Sequence, residues 1–428
     1  MMNERLLRFK LHKSARDIDR VLHFLVRSAW DDVAYYRDLL NRAGISPGEI
    51  RGVKDLPKLP VTTKQALVSL PSAFYLHRHA DQRRCIRRNT SGSTGEPLTV
   101  YMSYAEANYR RLLLFMAIRQ NMHLRLPFTI ALIDVRIEKE QVEGLGVITL
   151  IRIPGVLPTS GQVELLERYR PKIIEGQPSC LEILAEELNR RPSDTVRPEL
   201  VLCRGEILHA RVRKFLEEAF SAKVADYYNC EEIGNIAWEC PATPGILHVN
   251  TDACIIEIVG LDGSPLPLGQ EGRVIVTNLF NHTMPFIRYD LGDRGVLQMF
   301  QRQRCSCGFV GPTMTAVSGR DDDFLYLPDG RKVSPRVVAT AFEEEPDNSL
   351  IKGVRRLQIV QEDFNRIIVK VISGADYNPN LHKIFQDRAH RLHPELRCEV
   401  EVVDHLMLEP SGKFKKVVSK VRKTGEAS

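Results

Sequence analysis

Residues 89–100, NTSGSTGEPLTV, combine the residue types that a phosphate-binding loop needs. Hydroxyl side chains alternate with glycines in the order Thr90, Ser91, Gly92, Ser93, Thr94 and Gly95. Glycine lets the backbone turn tightly and approach a ligand, while backbone N–H and hydroxyl groups donate hydrogen bonds to phosphate oxygens. The segment lacks the Gly-Lys-Ser/Thr ending of a Walker A loop. It therefore predicts a different kind of polyphosphate loop, with an ordinary Ser/Thr-rich turn as the alternative.

A second group of residues has the chemistry of a metal site. Cys240 and His248 lie in one segment, and Cys305 and Cys307 form a Cys-Ser-Cys sequence further along the chain. Thiolate sulfur and imidazole nitrogen suit tetrahedral Zn²⁺, although this spacing is not that of a standard zinc finger. Reduced, buried cysteines are the alternative. We expect a closed structural Zn²⁺ site that ties a β region to the segment before the C-terminal part.

Further motifs follow the loop in a fixed order: YNCEE (228–232), PFIRYDLGD (285–293), GRDDD (319–323) and EPSGK (409–413). With the loop, whose wording is close to TSGTTGxP, they resemble the motifs of the adenylate-forming enzymes, the superfamily of acyl-CoA synthetases and adenylation domains. Residues 33–67, from VAYYRDLL to TTKQAL, are similar to the opening of the phenylacetate-CoA ligase branch. That branch includes shorter relatives associated with capsule biosynthesis and coenzyme F390 synthesis. The resemblance covers nearly the whole chain.

The resemblance implies an ATP site. The loop of residues 90–95 would hold the β- and γ-phosphates, Glu232 would bind Mg²⁺, and Asp293 would bind the ribose hydroxyls. A carboxylate can accept two hydrogen bonds from a vicinal diol, which suits the last role. Surface pairing of Asp293 or Asp290 with a nearby arginine is the alternative. The adenine would be lined by Gly205, Glu206, Tyr228 and Asn229.

The C-terminal motifs imply the remaining charged groups. Joining a carboxylate to AMP brings two anions together, so positioning and charge neutralisation must supply most of the rate. Arg320 would lie near the ribose and phosphate, and Asp322 would be the pivot of a hinge. Lys413 would be the catalytic lysine, since one ammonium can bind a carboxylate oxygen and a phosphate oxygen together. A basic surface loop is the alternative for the segment around Lys413.

The resemblance leaves the acid and the acceptor open. Residues 173–185, IIEGQPSCLEILA, resemble the segment that lines the acyl site, with Gly176 and Pro178 as wall residues. Phe115, on an upstream helix, is a further candidate. CoA is the expected acceptor of the acyl group; a carrier protein or an amine is the alternative, as is a non-catalytic nucleotide-binding relative. Relatives in this branch carry similar Cys/His positions, which favours zinc.

Composition describes an ordinary globular protein. The chain has 428 residues, of which 43% are hydrophobic and 27% charged, and its formal net charge is +6. The densest basic cluster, RRCIRR at 83–88, carries no nucleic-acid-binding signature, so we expect no nucleic-acid partner. Charged residues interrupt the N-terminal apolar positions, so we expect no signal peptide, no membrane and a cytoplasmic location. A homodimer is compatible with this composition.

The elements that must position these residues indicate an α/β fold. Between residues 128 and 228, short apolar runs alternate with helical stretches, which predicts a wound parallel sheet. Residues 254–260 and 272–278 flank a Gly/Pro-rich segment and predict an antiparallel β subdomain. A boundary at Ser318–Gly319 would divide a large N-terminal adenylation domain (1–318) from a small C-terminal α+β lid domain (319–428). Helical patterns are expected at 17–42, 104–121 and 379–393.

Overall fold

A computed structural model of the chain describes residues 15–90, 97–121, 126–134, 137–299, 305–320, 324–333, 335–343, 353–374, 378, 380–408 and 414–421. The α-helices are α1 (Ala15–Asp32), α2 (Ala34–Arg42), α3 (Lys64–Val68), α4 (Ser72–Tyr75), α5 (Tyr104–Asn121), α6 (Thr159–Tyr169), α7 (Pro178–Arg190), α8 (Ala210–Phe220), α9 (Pro335–Glu343) and α10 (Leu381–Leu392). Short 3₁₀ helices span Pro47–Glu49, Val53–Lys58 and Gln82–Arg84.

The strands are β1 (Ile86–Asn89), β2 (Thr99–Met102), β3 (Phe128–Asp134), β4 (Gln141–Leu145), β5 (Ile148–Pro154), β6 (Ile173–Gly176), β7 (Leu200–Arg204), β8 (Lys223–Cys230), β9 (Gly234–Glu239), β10 (Ile246–Val249), β11 (Cys254–Val259), β12 (Glu271–Asn278), β13 (Tyr289–Met299), β14 (Pro312–Arg320), β15 (Leu325–Tyr326), β16 (Lys332–Val333), β17 (Val354–Asp363), β18 (Arg366–Ser373), β19 (Arg397–Val402) and β20 (Val417–Ser419).

The chain forms two compact units. The first unit contains Met1–His123 and Tyr227–Val317, and the second contains Leu124–Asp226 and Ser318–Ser428. One division therefore falls next to the expected boundary at Ser318–Gly319. The second unit also takes in a long earlier segment, so the division into domains 1–318 and 319–428 stays a prediction.

The first unit packs its helices against an antiparallel sheet. The strand order is β11-β12-β13-β14-β10-β9-β8, and Cys254 pairs with Asn278 at the open end of the expected β11–β12 hairpin. On α1, Leu22, Leu25 and Val26 are buried at helical spacing, which is why this stretch forms a helix against the core. The expected helical pattern of 17–42 is divided into two helices. They separate at Val33, whose backbone is extended (φ −124°, ψ 113°).

A buried arginine ties the N-terminal segment of this unit to the strand β13. Arg288 is 2% exposed and has a left-handed backbone (φ 46°). Its guanidinium pairs with Glu257 at 3.0 Å and donates to the carbonyl oxygens of Pro57, Leu59 and Gly263. Burial raises the pKa of Glu257, and the neighbouring Arg288 opposes that rise. The segment around residues 57–62 is thus held against β13.

The second unit contains the expected parallel sheet. Its strand order is β7-β6-β3-β5-β4, in which β7, β6, β3 and β5 are parallel and β4 is an antiparallel edge. Buried Val, Ile and Leu residues fill these strands, as expected where helices cover a sheet. Helices α6, α7 and α8 belong to this part and share its apolar core. The α/β fold class predicted from the sequence is confirmed.

The C-terminal part of the second unit has its own hydrophobic core. A four-stranded sheet of order β19-β18-β17-β20 carries buried residues such as Ile359 and Val369, which cluster with Phe342 of α9 and Phe385 of α10. Helix α10 and the strands on either side of it match the expected α+β pattern. None of the described helices is both long enough and apolar enough to cross a membrane.

Candidate active site and candidate metal centre

Two sequence motifs meet in the first unit through crossed hydrogen bonds. The hydroxyl of Tyr228 donates to Asp293 Oδ2 at 2.7 Å, and the hydroxyl of Tyr289 donates to Glu232 Oε1 at 3.0 Å. Each motif therefore supplies one tyrosine and one carboxylate, and each tyrosine holds the carboxylate of the other motif. We refer to these as the crossed carboxylate pairs. They place the predicted metal ligand and the predicted ribose ligand in one region.

The two carboxylates differ from ordinary surface acids in how they are held. Glu232 lies in the turn between β8 and β9, and Asp293 lies in β13; both side chains are half-buried. Burial raises the pKa of Tyr289, so its hydroxyl stays protonated and remains a donor at neutral pH. Asn229 follows an irregularity in the β8–β9 pairing and lies opposite Asn235.

Two arginines near the motif have other partners. Asp290 accepts a hydrogen bond from Arg273 Nη1 at 2.9 Å. Arg288 pairs with Glu257, as described above. Asp293 accepts the Tyr228 hydroxyl, and its role as a ribose ligand stays a prediction.

The predicted phosphate loop is described only at its edges. Thr90 and Leu98 close its base: the Thr90 N–H donates to the Leu98 carbonyl at 3.0 Å, and the Leu98 N–H donates to the Thr90 hydroxyl at 2.9 Å. Strands β1 and β2 pair directly beside this closure. Ser91, Gly92, Ser93, Thr94 and Gly95 lie outside the described residues.

Other predicted residues lie at the carboxyl ends of the parallel strands in the second unit, and this end of the sheet is called its edge below. Gly176 ends β6, and Gly205, with φ 80°, follows the adjacent parallel strand β7. Open α/β sheets bind ligands at the carboxyl ends of their strands, so this edge is suited to a substrate. Pro178 begins α7, where its missing N–H costs no helical hydrogen bond. Phe115 lies on α5 in the first unit and is half-buried.

The carboxylate of Glu206 is held by hydrogen bonds that the sequence did not predict. Its carboxylate accepts hydrogen bonds from Ser179 N at 3.0 Å and Ser179 Oγ at 2.9 Å, which caps the start of α7. It also accepts the Phe414 N–H at 2.9 Å. The ring of Phe414 lies 5.4 Å from the Arg356 guanidinium, which in turn pairs with Glu182 at 3.2 Å. Glu206 therefore joins the edge of the sheet to the residue that follows Lys413.

The remaining C-terminal predictions are not resolved by these contacts. Lys413 and Asp322 lie outside the described residues, as does the side chain of Arg320, whose backbone ends β14. Their roles stay predictions.

The four predicted zinc ligands come together in the first unit. One ligand atom from each of Cys240, His248, Cys305 and Cys307 lies within 4.8 Å of all the others. Cys240 Sγ is 3.3 Å from Cys305 Sγ, and Cys307 Sγ is 3.7 Å from His248 Nε2. Tetrahedral zinc with Zn–S of about 2.3 Å and Zn–N of about 2.0 Å needs spacings of this order. We call this set the cysteine–histidine cluster.

The cluster is enclosed by well-defined neighbours. Cys240 is 2% exposed, His248 1% and Cys305 6%. The His248 imidazole stacks on Phe309, with ring centroids 4.1 Å apart. Gly308, with φ 89°, allows the tight turn in which its N–H donates to the Cys305 carbonyl at 2.7 Å. The donor set and its burial fit a closed structural Zn²⁺ site.

Two residues that contact the turn between β8 and β9, which carries Glu232, had no role assigned from the sequence. Tyr289 lies inside the PFIRYDLGD motif, between Arg288 and Asp290, and membership of that motif was the available signal. Arg110 lies on α5, and it donates to the carbonyl oxygens of Glu231 at 2.6 Å and Cys230 at 3.0 Å. No motif surrounds Arg110, so only the fold reveals this contact.

Comparison with known proteins identifies the family of this chain. A family profile described as the CapK C-terminal domain matches residues 325–420. Phenylacetate-coenzyme A ligase of Thermus thermophilus is 30% identical over 326 residues, which is 71% of this chain and 69% of that protein. The enzyme of the same name from Pseudomonas putida is 26% identical over 321 residues, 72% of this chain and 70% of that one.

Among solved structures, 2-hydroxyisobutyryl-CoA ligase in the postadenylation state has a similar fold, with a TM-score of 0.76 and 20% identity. The alignment covers 95% of this chain and 89% of that chain. The relatives and the fold together define an adenylate-forming ligase. The chain belongs to the phenylacetate-CoA ligase-like branch of this superfamily, and it is an AMP-forming acyl-CoA ligase.

Proposed function

We propose that this protein converts a carboxylic acid and MgATP into an acyl-adenylate and pyrophosphate, and then transfers the acyl group to the thiol of CoA. An aryl acid or a similar small acid is the proposed substrate. The observation that carries the proposal is the pair of crossed hydrogen bonds, which hold Glu232 and Asp293, the two carboxylates that the family resemblance predicts for the ATP site. The family relationship supports the same reaction.

In the first step, a carboxylate oxygen of the acid attacks the α-phosphorus, and the bond to the pyrophosphate oxygen breaks. Asp293, oriented by the Tyr228 hydroxyl, accepts hydrogen bonds from the ribose and thereby fixes the nucleotide. Lys413 would neutralise charge on the reacting oxygens. In the second step, the thiolate of CoA attacks the acyl carbonyl, and AMP leaves.

Glu232 fits the role of a Mg²⁺ ligand. Magnesium takes hard oxygen ligands, and it is commonly bound by one or two carboxylates together with substrate phosphates. Tyr289 occupies Oε1, and no hydrogen bond to Oε2 is found among the described residues, so that oxygen suits a cation. Bound with ATP, the ion would neutralise phosphate charge and assist departure of pyrophosphate. Glu232 then binds and orients the nucleotide–metal unit.

A pyrophosphate-exchange screen tests the first step. Aryl, hydroxyaliphatic and amino acids would each be supplied with labelled pyrophosphate and MgATP, and exchange into ATP measured. We expect one acid class to support exchange and, on addition of CoA, to yield an acyl-CoA detected by mass spectrometry. Exchange without any CoA product would redirect the proposal towards a carrier protein or an amine as acceptor. No exchange with any acid class would contradict the proposal itself.

Replacement of Lys413 tests whether this residue acts in one half-reaction or in both. The variant Lys413→Ala should lose charge stabilisation in adenylation, by about 10²–10³-fold, which is the size of the loss of one oxyanion donor. The same variant, given prepared acyl-adenylate, should transfer the acyl group to CoA at a near-normal rate. Equal slowing of both steps would assign Lys413 a structural role.

We also propose that the cysteine–histidine cluster holds one structural Zn²⁺. The close approach of four soft or borderline ligand atoms and the burial of Cys240, His248 and Cys305 support this proposal. With all four positions filled by protein, the ion would have no open site for substrate, so its contribution would be to stability. The cytoplasmic location, a homodimer and a carrier-protein partner stay predictions.

A further inference from the structure

The turn that carries Glu232 is contacted from two sides by residues of the first unit. It consists of Glu231, Glu232 and Ile233 between β8 and β9. A turn of three residues does not by itself fix the direction of a half-exposed carboxylate, because a glutamate side chain has many rotamers. Its neighbours therefore decide where the carboxylate points.

The first contact comes from helix α5. The Arg110 guanidinium spans two successive carbonyl oxygens of the turn, Cys230 O at 3.0 Å and Glu231 O at 2.6 Å. Its Nη2 is also 3.6 Å from the Glu231 carboxylate, and the Arg110 side chain is about four-fifths buried, with 21% exposure. A planar guanidinium that bonds two acceptors fixes geometry better than an ammonium on a flexible stem.

The backbone of the turn is adapted to this arginine. Gly234, which begins β9, has φ +95°, a conformation that L side chains rarely adopt. A Cβ atom at Gly234 would lie 2.9 Å from Arg110 Nε and 3.0 Å from Arg110 Cγ. Only glycine therefore allows the arginine to lie against this backbone.

The second contact comes from strand β13. The Tyr289 hydroxyl donates to Glu232 Oε1 at 3.0 Å, and Tyr289 is 1% exposed, so its ring cannot move away from the carboxylate. Asn278 Nδ2 also donates to the Ile233 carbonyl of the turn at 3.3 Å. The backbone of the turn and the Glu232 side chain are thus restrained by separate groups.

We propose that Arg110 and Tyr289 are positioning residues that aim Glu232 at the divalent cation of the nucleotide, Arg110 by fixing the backbone of the turn and Tyr289 by fixing the carboxylate. The inference rests on the proposed role of Glu232 as a metal ligand. Residues that orient a metal ligand commonly change metal affinity by about 10–100-fold when they are replaced. Arg110 adds a further link, because α5 follows directly after β2, the strand that leaves the predicted phosphate loop.

The test measures metal binding without turnover. Mn²⁺ would replace Mg²⁺, α,β-methylene-ATP would replace ATP because its α–β bridge cannot be cleaved, and no acid would be added. The dissociation constant of Mn²⁺ in the ternary complex would be read by electron paramagnetic resonance. Tyr289→Phe and Arg110→Lys should each weaken Mn²⁺ binding by about 10-fold. The affinity for the nucleotide without metal should change by less than about twofold, since neither residue contacts it in this proposal.

Matched controls separate positioning from packing. Tyr75, on α4, is 7% exposed in the same core, so Tyr75→Phe removes a buried hydroxyl without touching the motif that carries Tyr289. Arg119 is exposed on the same helix as Arg110. Tyr75→Phe and Arg119→Gln should leave Mn²⁺ affinity within about twofold of the parent. Should one positioning variant fail to fold, the other carries the test.

The Glu232→Gln variant separates the positioning role of Arg110 and Tyr289 from the proposed role of Glu232 as a metal ligand. If Glu232→Gln weakens Mn²⁺ binding while Tyr289→Phe and Arg110→Lys keep the parental affinity, the positioning inference is wrong and the role of Glu232 stands. If Glu232→Gln itself keeps the parental affinity, Glu232 is not the metal ligand, and the inference falls with it.

Discussion

Strand β9 has two different kinds of candidate site at its two ends. Before it lies the turn of Glu232, which belongs to the crossed carboxylate pairs; after it lies Cys240, which belongs to the cysteine–histidine cluster. A strand of six residues spans roughly 20 Å, so the two sites share a scaffold without sharing ligands. One end presents hard oxygen ligands, and the other presents sulfur and nitrogen.

The two ends also differ in how completely the protein surrounds its ligands. Glu232 and Asp293 each accept a hydrogen bond from a tyrosine hydroxyl and are only half-buried, so part of each carboxylate stays accessible to a nucleotide or its cation. At the cluster, four protein ligands converge and three of them are almost fully buried. A cation that arrives with a substrate needs an open coordination sphere, whereas a structural ion needs a closed one. The comparison predicts opposite responses to substitution.

The largest effect should follow replacement of Glu232. Glu232→Gln keeps the shape and removes the charge, so we expect pyrophosphate exchange to fall by about 10²–10³-fold, comparable with loss of one electrostatic contact in a preorganised site. Thermal stability should change little. Glu271→Gln, an exposed acid at the start of β12, is the control and should exchange at the parental rate. An unchanged rate of pyrophosphate exchange by Glu232→Gln at low Mg²⁺ would show that Glu232 has no role in catalysis.

At the other end of β9, the effect should appear in stability. Cys305→Ser should abolish the single bound zinc and destabilise the fold by about 2–4 kcal/mol, because metal binding is coupled to folding. Metal analysis of chelator-free protein and thermal unfolding would measure both quantities. Cys85→Ser, which replaces a half-buried cysteine outside the cluster, should retain the zinc. Freshly purified parent protein without zinc would leave the cluster as four reduced cysteine and histidine side chains.

Asp293 provides a smaller and more specific test. Asp293→Asn should raise the KM for ATP by about 10-fold, because an amide oxygen accepts ribose hydrogen bonds less strongly than a carboxylate does. The same loss should appear when parent protein is given 2′-deoxy- or 3′-deoxy-ATP. The two changes should be non-additive if Asp293 binds the ribose. Full additivity would assign Asp293 a role away from the sugar.

The smallest effect should come from Tyr228. Tyr228→Phe removes one hydrogen bond to Asp293 while Asp293 itself remains, so we expect a rise in the KM for ATP of only about 2–5-fold. Steady-state kinetics at fixed acid and Mg²⁺ would measure it. A loss larger than that of Asp293→Asn would mean that Tyr228 contacts the nucleotide directly.

The sequence predicted the elements whose local patterns are strong. Helix α5 has the predicted bounds of 104–121, and the β11–β12 hairpin forms around its Gly/Pro-rich connection. The pattern at 17–42 predicted helix correctly but missed the break at Val33, since one residue with extended backbone leaves the apolar periodicity almost unchanged. The four members of the cysteine–histidine cluster were suggested by ligand chemistry and by the family resemblance, and the fold brings them together.

Contacts between distant segments could not be predicted in the same way. The motifs suggested Glu232 and Asp293, but the exchange of tyrosine hydrogen bonds between the motifs depends on strand pairing across 57 and 65 residues. Arg110 lies on a helix that also carries Arg111 and Arg119, and it donates to backbone carbonyls, which have no sequence signature. Glu206 was predicted to line the adenine; its bonds to Ser179 and to Phe414 depend equally on the assembled fold.

The guanidinium of Arg288 gives the N-terminal segment an influence on chemistry far along the chain. It donates hydrogen bonds to the carbonyl oxygens of Pro57 and Leu59. The next residue in the sequence is Tyr289, whose hydroxyl donates to Glu232. Without residues 57–59 that buried guanidinium would have fewer acceptors, and an unsatisfied buried donor typically costs about 1–3 kcal/mol. The segment before residue 60 therefore helps to fix the backbone next to Tyr289, in addition to supplying core residues such as Leu22 and Leu56.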